Sequence, residues 1–124
     1  MPTPSDPMEV QGLPALYRYA TIANGESLSS PIDLGGKRLT HIAIPAAWTA
    51  ANLTFQVSVD GRTYGDLYDA GGTEYAATVG GTSRTVLIPF ADFIGVQFLK
   101  IRSGTSGTAV AQGAARELGL CLAQ

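Results

Sequence analysis

The chain has 124 residues, 45% of them hydrophobic and 15% charged, which is the length of one domain and the composition of a sequence that folds. Eight Lys and Arg against ten Asp and Glu leave a net charge of -2, so there is no basic field to hold a phosphate backbone, which argues against a nucleic-acid partner. The apolar runs, such as "TVLIPF", fall far short of the roughly 20 residues that a membrane-spanning helix needs, so no membrane partner is expected.

In chain order, the opening "MPTPSDPMEV" has neither the cationic stretch nor the apolar core of a signal peptide, and synthesis without Sec-type export is expected. Pro2, Pro4, Pro7 and Pro14 remove amide donors and bias the backbone to extended conformations, so residues 1–16 read as an arm that orders by docking. Residues 17–124 read as one β-sandwich domain. Strand-like runs follow at 16–22 ("LYRYATI"), 26–34 ("ESLSSPIDL"), 38–44 ("RLTHIAI"), 53–60 ("LTFQVSVD"), 62–69 ("RTYGDLYD"), 74–79 ("EYAATV"), 83–90 ("SRTVLIPF"), 96–103 ("VQFLKIRS") and 116–123 ("RELGLCLA"). The turn signals between them, "NG", "GGK", "DG", "GGTS" and "SGTSGT", give the spacing of an all-β sandwich of antiparallel strands.

Within 53–60, alternation puts Leu53, Phe55, Val57 and Val59 on a core face and Thr54, Gln56, Ser58 and Asp60 on the other. Asp60-Gly61 then supplies the positive-φ residue of a tight hairpin turn, and the chain returns with Tyr64, Asp66 and Tyr68 on one side. "PFADF" at 89–93 reads as a short turn. The Ala-rich stretch 108–119 is broken by Gly107 and Gly113 and reads as a loop with at most one helical turn. In the last run, Leu118, Leu120 and Leu122 face the core, while Gly119, Cys121 and Ala123 make a small, uncharged second face suited to lie against a sheet or a subunit.

The chemistry-bearing residues are few. His41 is the single histidine, sits outside any nucleophile-elbow pattern, and cannot build a multi-histidine metal site, so a structural role is expected. Cys121 is the single cysteine, so no intrachain disulfide forms, and its place between leucines suggests a small buried hydrophobe. Asp60, Asp66, Asp69 and Glu74 are the densest acidic group, with spacing that matches no calcium loop; turn and hairpin roles are expected. Trp48, Tyr64, Tyr68 and Tyr75, with Asp66, are the candidates for contact with a ligand or partner, either as an aromatic platform for a sugar or as core and interface packing. The glycine-rich "GGTSRT" and "SGTSGT" precede strands, so neither presents a helix N-terminus to a phosphate. No catalytic residue, metal or cofactor is expected.

Through "ANLTFQVSVDGRTYGDLYDAGGTEY" and "FLKIRSGTSGTAVAQGAARELGLCL", the chain resembles small proteins encoded among the structural genes of tailed phages, prophages and gene-transfer-agent-like elements, over roughly Ile42 to Leu122. The hairpin "SVDGRTY" followed by the strand "FLKIR" is also similar to the galactose-binding-like jelly rolls. The resemblance implies a jelly-roll sandwich in a virion: a capsid decoration, cement or head-fibre-base subunit assembled in the host bacterial cytoplasm. Its implied partners are the major capsid protein or other virion proteins, and it implies a symmetric homo-oligomer, a trimer among the choices. The alternative it carries is a carbohydrate-binding module of a tail or head fibre that engages host-surface glycan, with no ligand set carried over by residue.

Overall fold

The computed structural model describes residues 16–89 and 91–124. Among these, the alternating runs become nine strands: β1 (Tyr17–Ile22), β2 (Ile32–Asp33), β3 (Arg38–Ile44), β4 (Leu53–Ser58), β5 (Gly65–Asp66), β6 (Ala76–Ala77), β7 (Arg84–Leu87), β8 (Phe98–Ser103) and β9 (Arg116–Ala123). The described residues hold no helix; of the Ala-rich stretch 108–119, residues 108–115 are a loop and 116–119 already belong to β9.

All strand pairs are antiparallel. One sheet has the order β1-β9-β3-β7; the other runs β2-β8-β4-β5, with β6 also on the outer side of β4. The chain therefore alternates between sheets for its first four strands and its last three, and the first and last strands are neighbours, which is jelly-roll connectivity. The alternation of side chains accounts for the core: Ala20, Ile22, Leu39, Ile42, Ile44, Leu118, Leu120 and Leu122 from one sheet meet Ile32, Leu53, Phe55, Leu99 and Ile101 from the other. Loop residues Leu34, Trp48, Val79, Ile88 and Phe93 close the ends.

Several boundaries differ from those read in the sequence, each for a local reason. In β3 the register slips between Leu39 and His41, so that Leu39 and Ile42 both face inward although three positions apart; a bulge at Thr40 explains it. Val59 is fully exposed rather than core, because β4 ends at Ser58, whose hydroxyl accepts from the Asp60 and Gly61 amides and turns the chain out of the sheet. The Asp60-Gly61 pair does not make a tight two-residue turn; the β4–β5 connection runs over 59–64, although Gly61 has the expected positive φ of 76° and lies against the Phe98 ring. Of the run 26–34, Ile32–Asp33 alone is strand; before it, Ser29 donates to Ile101 of β8 and Ser30 to Thr21 of β1, so this segment ties the edges of the two sheets together. The arm read over 1–16, with Pro2, Pro4, Pro7 and Pro14, lies outside the described residues except for Leu16, whose carbonyl accepts from the Leu122 amide.

Candidate functional site

The two outer faces of the sandwich differ in chemistry, and each holds part of what the sequence offered. On the five-stranded sheet, β8 presents Phe98, Lys100 and Arg102 outward beside Ser58, Gln56 and Thr54 of β4, their register partners. Arg102 is only 7% exposed. Its Nε donates to Thr54 Oγ1 at 3.0 Å, and its Nη2 donates to Asp66 Oδ1 at 2.7 Å and to Glu74 Oε2 at 3.0 Å. Thr54 in turn donates to the Gly104 carbonyl at 2.6 Å, and Glu74 accepts from the Ser106 amide. A buried guanidinium with two carboxylates has its charge compensated within the protein. The Arg102 hydrogen bond holds the Asp66 carboxyl below the usual carboxylate range, against the opposing effect of burial.

Around this hub lie Tyr64, half-buried, and Tyr68, exposed. Lys100 Nζ sits 4.4 Å from the centre of the Tyr64 ring, and Gln56 Nε2 donates to Asp66 Oδ1. Tyr68, 52% exposed, is bridged to Glu74. Tyr64, Asp66 and Tyr68 thus fall on one side of the sandwich, as alternation along 62–69 indicated.

The other two aromatic candidates do not join them. Trp48 is a buried core residue whose Nε1 donates to the Ala51 carbonyl, and Tyr75 packs against Phe55 and Phe93 with its hydroxyl 2.6 Å from Asp92 Oδ2. Burial, reinforced by the Asp92 carboxylate, pushes the Tyr75 hydroxyl well above the usual phenol range. A four-ring sugar platform is therefore corrected to the pair Tyr64 and Tyr68, because both Trp48 and Tyr75 fill space between the sheets.

The acidic residues divide by role. Asp60 accepts from the amides of Arg62 and Thr63 and from the Ser58 hydroxyl, and the Thr63 amide above all holds its carboxyl below the usual range. Asp69 accepts from the amides of Gly71 and Thr73. These are turn-closing side chains. Asp66 and Glu74 serve Arg102. No group of three or more metal-ligating side chains converges among the described residues.

The outer face of the four-stranded sheet is built otherwise. Register places Tyr17 of β1, Cys121 of β9, His41 of β3 and Leu87 of β7 in one row across all four strands, and Tyr19, Gly119, Ala43 and Thr85 in the next. Neither row contains a formally charged side chain. Tyr19 is 57% and Leu87 67% exposed, and the two tyrosine rings meet edge to face at 5.7 Å. Between them the surface is low: a Cβ on Gly119 would lie 3.3 Å from the Ala43 Cβ. Cys121, expected to be buried, is exposed, since alternation with Leu120 and Leu122 turns it outward. His41 faces outward too, with Nδ1 3.0 Å from Thr40 Oγ1.

Two polar hubs were not foreseen. Arg102 stood in the quoted "FLKIRSGT" without a role, and its outward position in the alternation was the available signal. Gln112, buried, binds the Thr49 amide and carbonyl and the Ser103 hydroxyl, and accepts from Arg116, clasping the loops at one end of the sandwich. A lone Gln in an Ala- and Gly-rich loop carries no sequence signal.

In comparisons with family models, curated proteins and solved structures, nothing matches the chain.

Proposed function

We propose that this protein is a non-catalytic structural subunit of a phage-like virion, a capsid decoration, cement or head-fibre-base protein assembled in the host bacterial cytoplasm and bound to the major capsid protein or another virion protein. The observation that carries the reading is the pair of uncharged rows across the outer face of the four-stranded sheet, between Arg38 and Glu117, with Tyr17, Tyr19 and Leu87 standing above Gly119, Ala43 and Cys121. Solvated sheet faces ordinarily carry polar and charged side chains, as the opposite face here does, and an exposed apolar face marks a surface to be covered. The sequence resemblance to phage structural-gene products and the proline-rich segment 1–16 point the same way.

Cosedimentation with particles of a candidate parent phage tests the reading. The full chain should pellet with particles, and deletion of residues 1–14 should abolish pelleting while leaving the thermal unfolding of the sandwich intact. A full chain that stays in the supernatant with every particle type sinks the virion role; a deleted chain that still pellets sinks the arm's part in it.

A second reading, a carbohydrate-binding module of a phage fibre, draws on Tyr64 and Tyr68 beside Gln56, Asp66 and Lys100, rings and hydrogen-bonding groups on one surface. A glycan array probed with the wild type and with Tyr64→Ala/Tyr68→Ala tests it: retention that survives the double substitution removes the site.

A further inference from the structure

We infer that Asn24 is a self-modification site: its carboxamide is lost to attack by the following Gly25 amide nitrogen, and the Gln112 clasp sets the rate by covering that nitrogen. The site stands independently of the virion reading. Asn24-Gly25 is the turn signal after β1, and it lies in the exposed turn 23–26, closed by the Glu26 amide donating to the Ala23 carbonyl at 3.0 Å. Nothing lies within 4 Å of the point where a Gly25 Cβ would stand, so no side chain obstructs the approach of the Asn24 carboxamide to the Gly25 nitrogen. The other asparagine of the chain is unsuited to the reaction. Asn52 precedes Leu53, a buried β4 residue, and its Oδ1 accepts from the Val79 amide at 3.0 Å.

The reaction balances with water as its co-reactant. Solvent base takes the Gly25 amide proton, the nitrogen adds to Asn24 Cγ, and the Cγ–Nδ2 bond breaks to release ammonia, leaving a cyclic imide. Water then opens either imide carbonyl, giving aspartate or a β-linked aspartyl residue. Both products add a negative charge, and the β-linked one also inserts a methylene into the backbone of turn 23–26.

In the folded chain the Gly25 nitrogen is engaged. It donates to the Gln112 carbonyl at 2.9 Å, and the Gln112 amide donates back to the Glu26 carbonyl at 2.9 Å. Gln112 is 1% exposed, and its side chain is fixed by Oε1 accepting from the Thr49 amide and by Nε2 donating to the Thr49 carbonyl and, at 2.7 Å, to the Ser103 hydroxyl. A proton shared with a carbonyl of a buried residue is withheld from solvent base. Attack therefore waits for a local opening that frees turn 23–26 from Gln112, and the rate is the rate of the open chain scaled by the open fraction. The polar network that closes this end of the sandwich thus times the chemistry.

The test incubates the full chain in mildly alkaline buffer at body temperature. Peptide mass mapping follows the exchange of ammonia for water at Asn24, and hydrogen exchange follows opening at Gly25. Deamidation of Asn24 in the folded chain should run about tenfold or more below its rate in the same chain unfolded in guanidinium chloride, with Asn52 intact in the folded chain. Gln112→Ala, or the milder Ser103→Ala should the first fail to fold, should raise Asn24 deamidation and Gly25 exchange together by about threefold or more. Tyr68→Ala, on the outer face of the five-stranded sheet, should change neither. An Asn24 that stays intact in the unfolded chain overturns the site, and equal rates in the folded and unfolded chains overturn the gate. A folded clasp variant that deamidates at the wild-type rate, whether or not its Gly25 exchange speeds up, overturns the role of Gln112.

Discussion

The Arg102 guanidinium lies 2.7 Å from the Asp66 carboxylate, 36 residues away in sequence and on the far side of β4, so one side chain on β8 reaches across a strand to hold β5 in the sheet. With Glu74 at 3.0 Å on the same nitrogen, it also fixes the start of the segment leading to β6. Two strands of two residues each have little ladder of their own, and this arginine is what anchors them.

Arg102→Met is therefore expected to destabilise the fold by about 3 kcal/mol, since it strands two carboxylates against a covered surface. Asp66→Asn should remove about 1 kcal/mol or less, because a third of the Asp66 side chain is in contact with solvent, which screens the pair. Urea unfolding measures both. Equal losses for the two substitutions would mean that Glu74 contributes nothing.

The depressed carboxyl of Asp66 gives stability a definite pH dependence. A group whose folded-state value lies below its unfolded one stabilises fully above the unfolded value, about 3.9 for Asp, and loses that contribution as pH falls through the folded value. The urea midpoint should fall as pH drops below about 4, and Asp66→Asn should flatten part of that fall while leaving the part due to Asp60. A variant that loses stability with the wild-type slope would show that the Arg102 bond does not set the titration.

Two glycines of the same loop should respond oppositely to alanine. Gly104 has φ of +89° and a Cβ there would lie 2.6 Å from the Thr108 carbonyl oxygen and 2.7 Å from the Val110 amide, backbone that cannot yield cheaply. Gly107 has open space around it. Gly104→Ala should lower stability by about 2 kcal/mol or more and Gly107→Ala should leave it unchanged or slightly raised. Thermal melts of the two proteins side by side decide the matter.

The aromatic residues that look alike in the sequence should separate by mutation. Trp48→Ala removes a buried ring and should cost about 3–5 kcal/mol. Tyr68→Ala should stay within about 0.5 kcal/mol of wild type. A large loss at Tyr68 would place it among the packing residues and leave Tyr64 alone on that surface.

What could be read beforehand follows from how local the determinants are. The bounds 38–44 and 116–123 coincide with β3 and β9 because alternation runs uninterrupted through one face of each, apart from the Thr40 bulge, which leaves no mark in the letters. The run 62–69 shrinks to Gly65–Asp66 because the Asp60 side chain captures the Arg62 and Thr63 amides, and 74–79 shrinks to Ala76–Ala77 with the Val79 amide taken by the Asn52 side chain instead of a ladder. Val59 was misplaced because its alternation outlasts its strand, which the Ser58 hydroxyl ends by taking the Asp60 and Gly61 amides. The Arg102 hub could not be read, since what covers it arrives from residues 28 and 36 positions away. The rows of the uncharged face were half legible: Gly119, Cys121 and Ala123 were visible as a small surface, but the tyrosines and Leu87 join them through strand pairing that sequence order does not reveal.

In the four-stranded sheet, β9 lies between β1 and β3, yet it is the last of the strands to be synthesised. Until residues 116–123 leave the ribosome, β1 has no partner in its sheet, β3 keeps one bare edge, and the core lacks Leu118, Leu120 and Leu122. Folding of this chain is thus a late event dominated by contacts between distant residues, slow by topology and exposed to aggregation while it waits. A substitution that breaks β9 would remove the keystone of a sheet whose other strands are all present, separating β1 from β3 and β7 at one stroke.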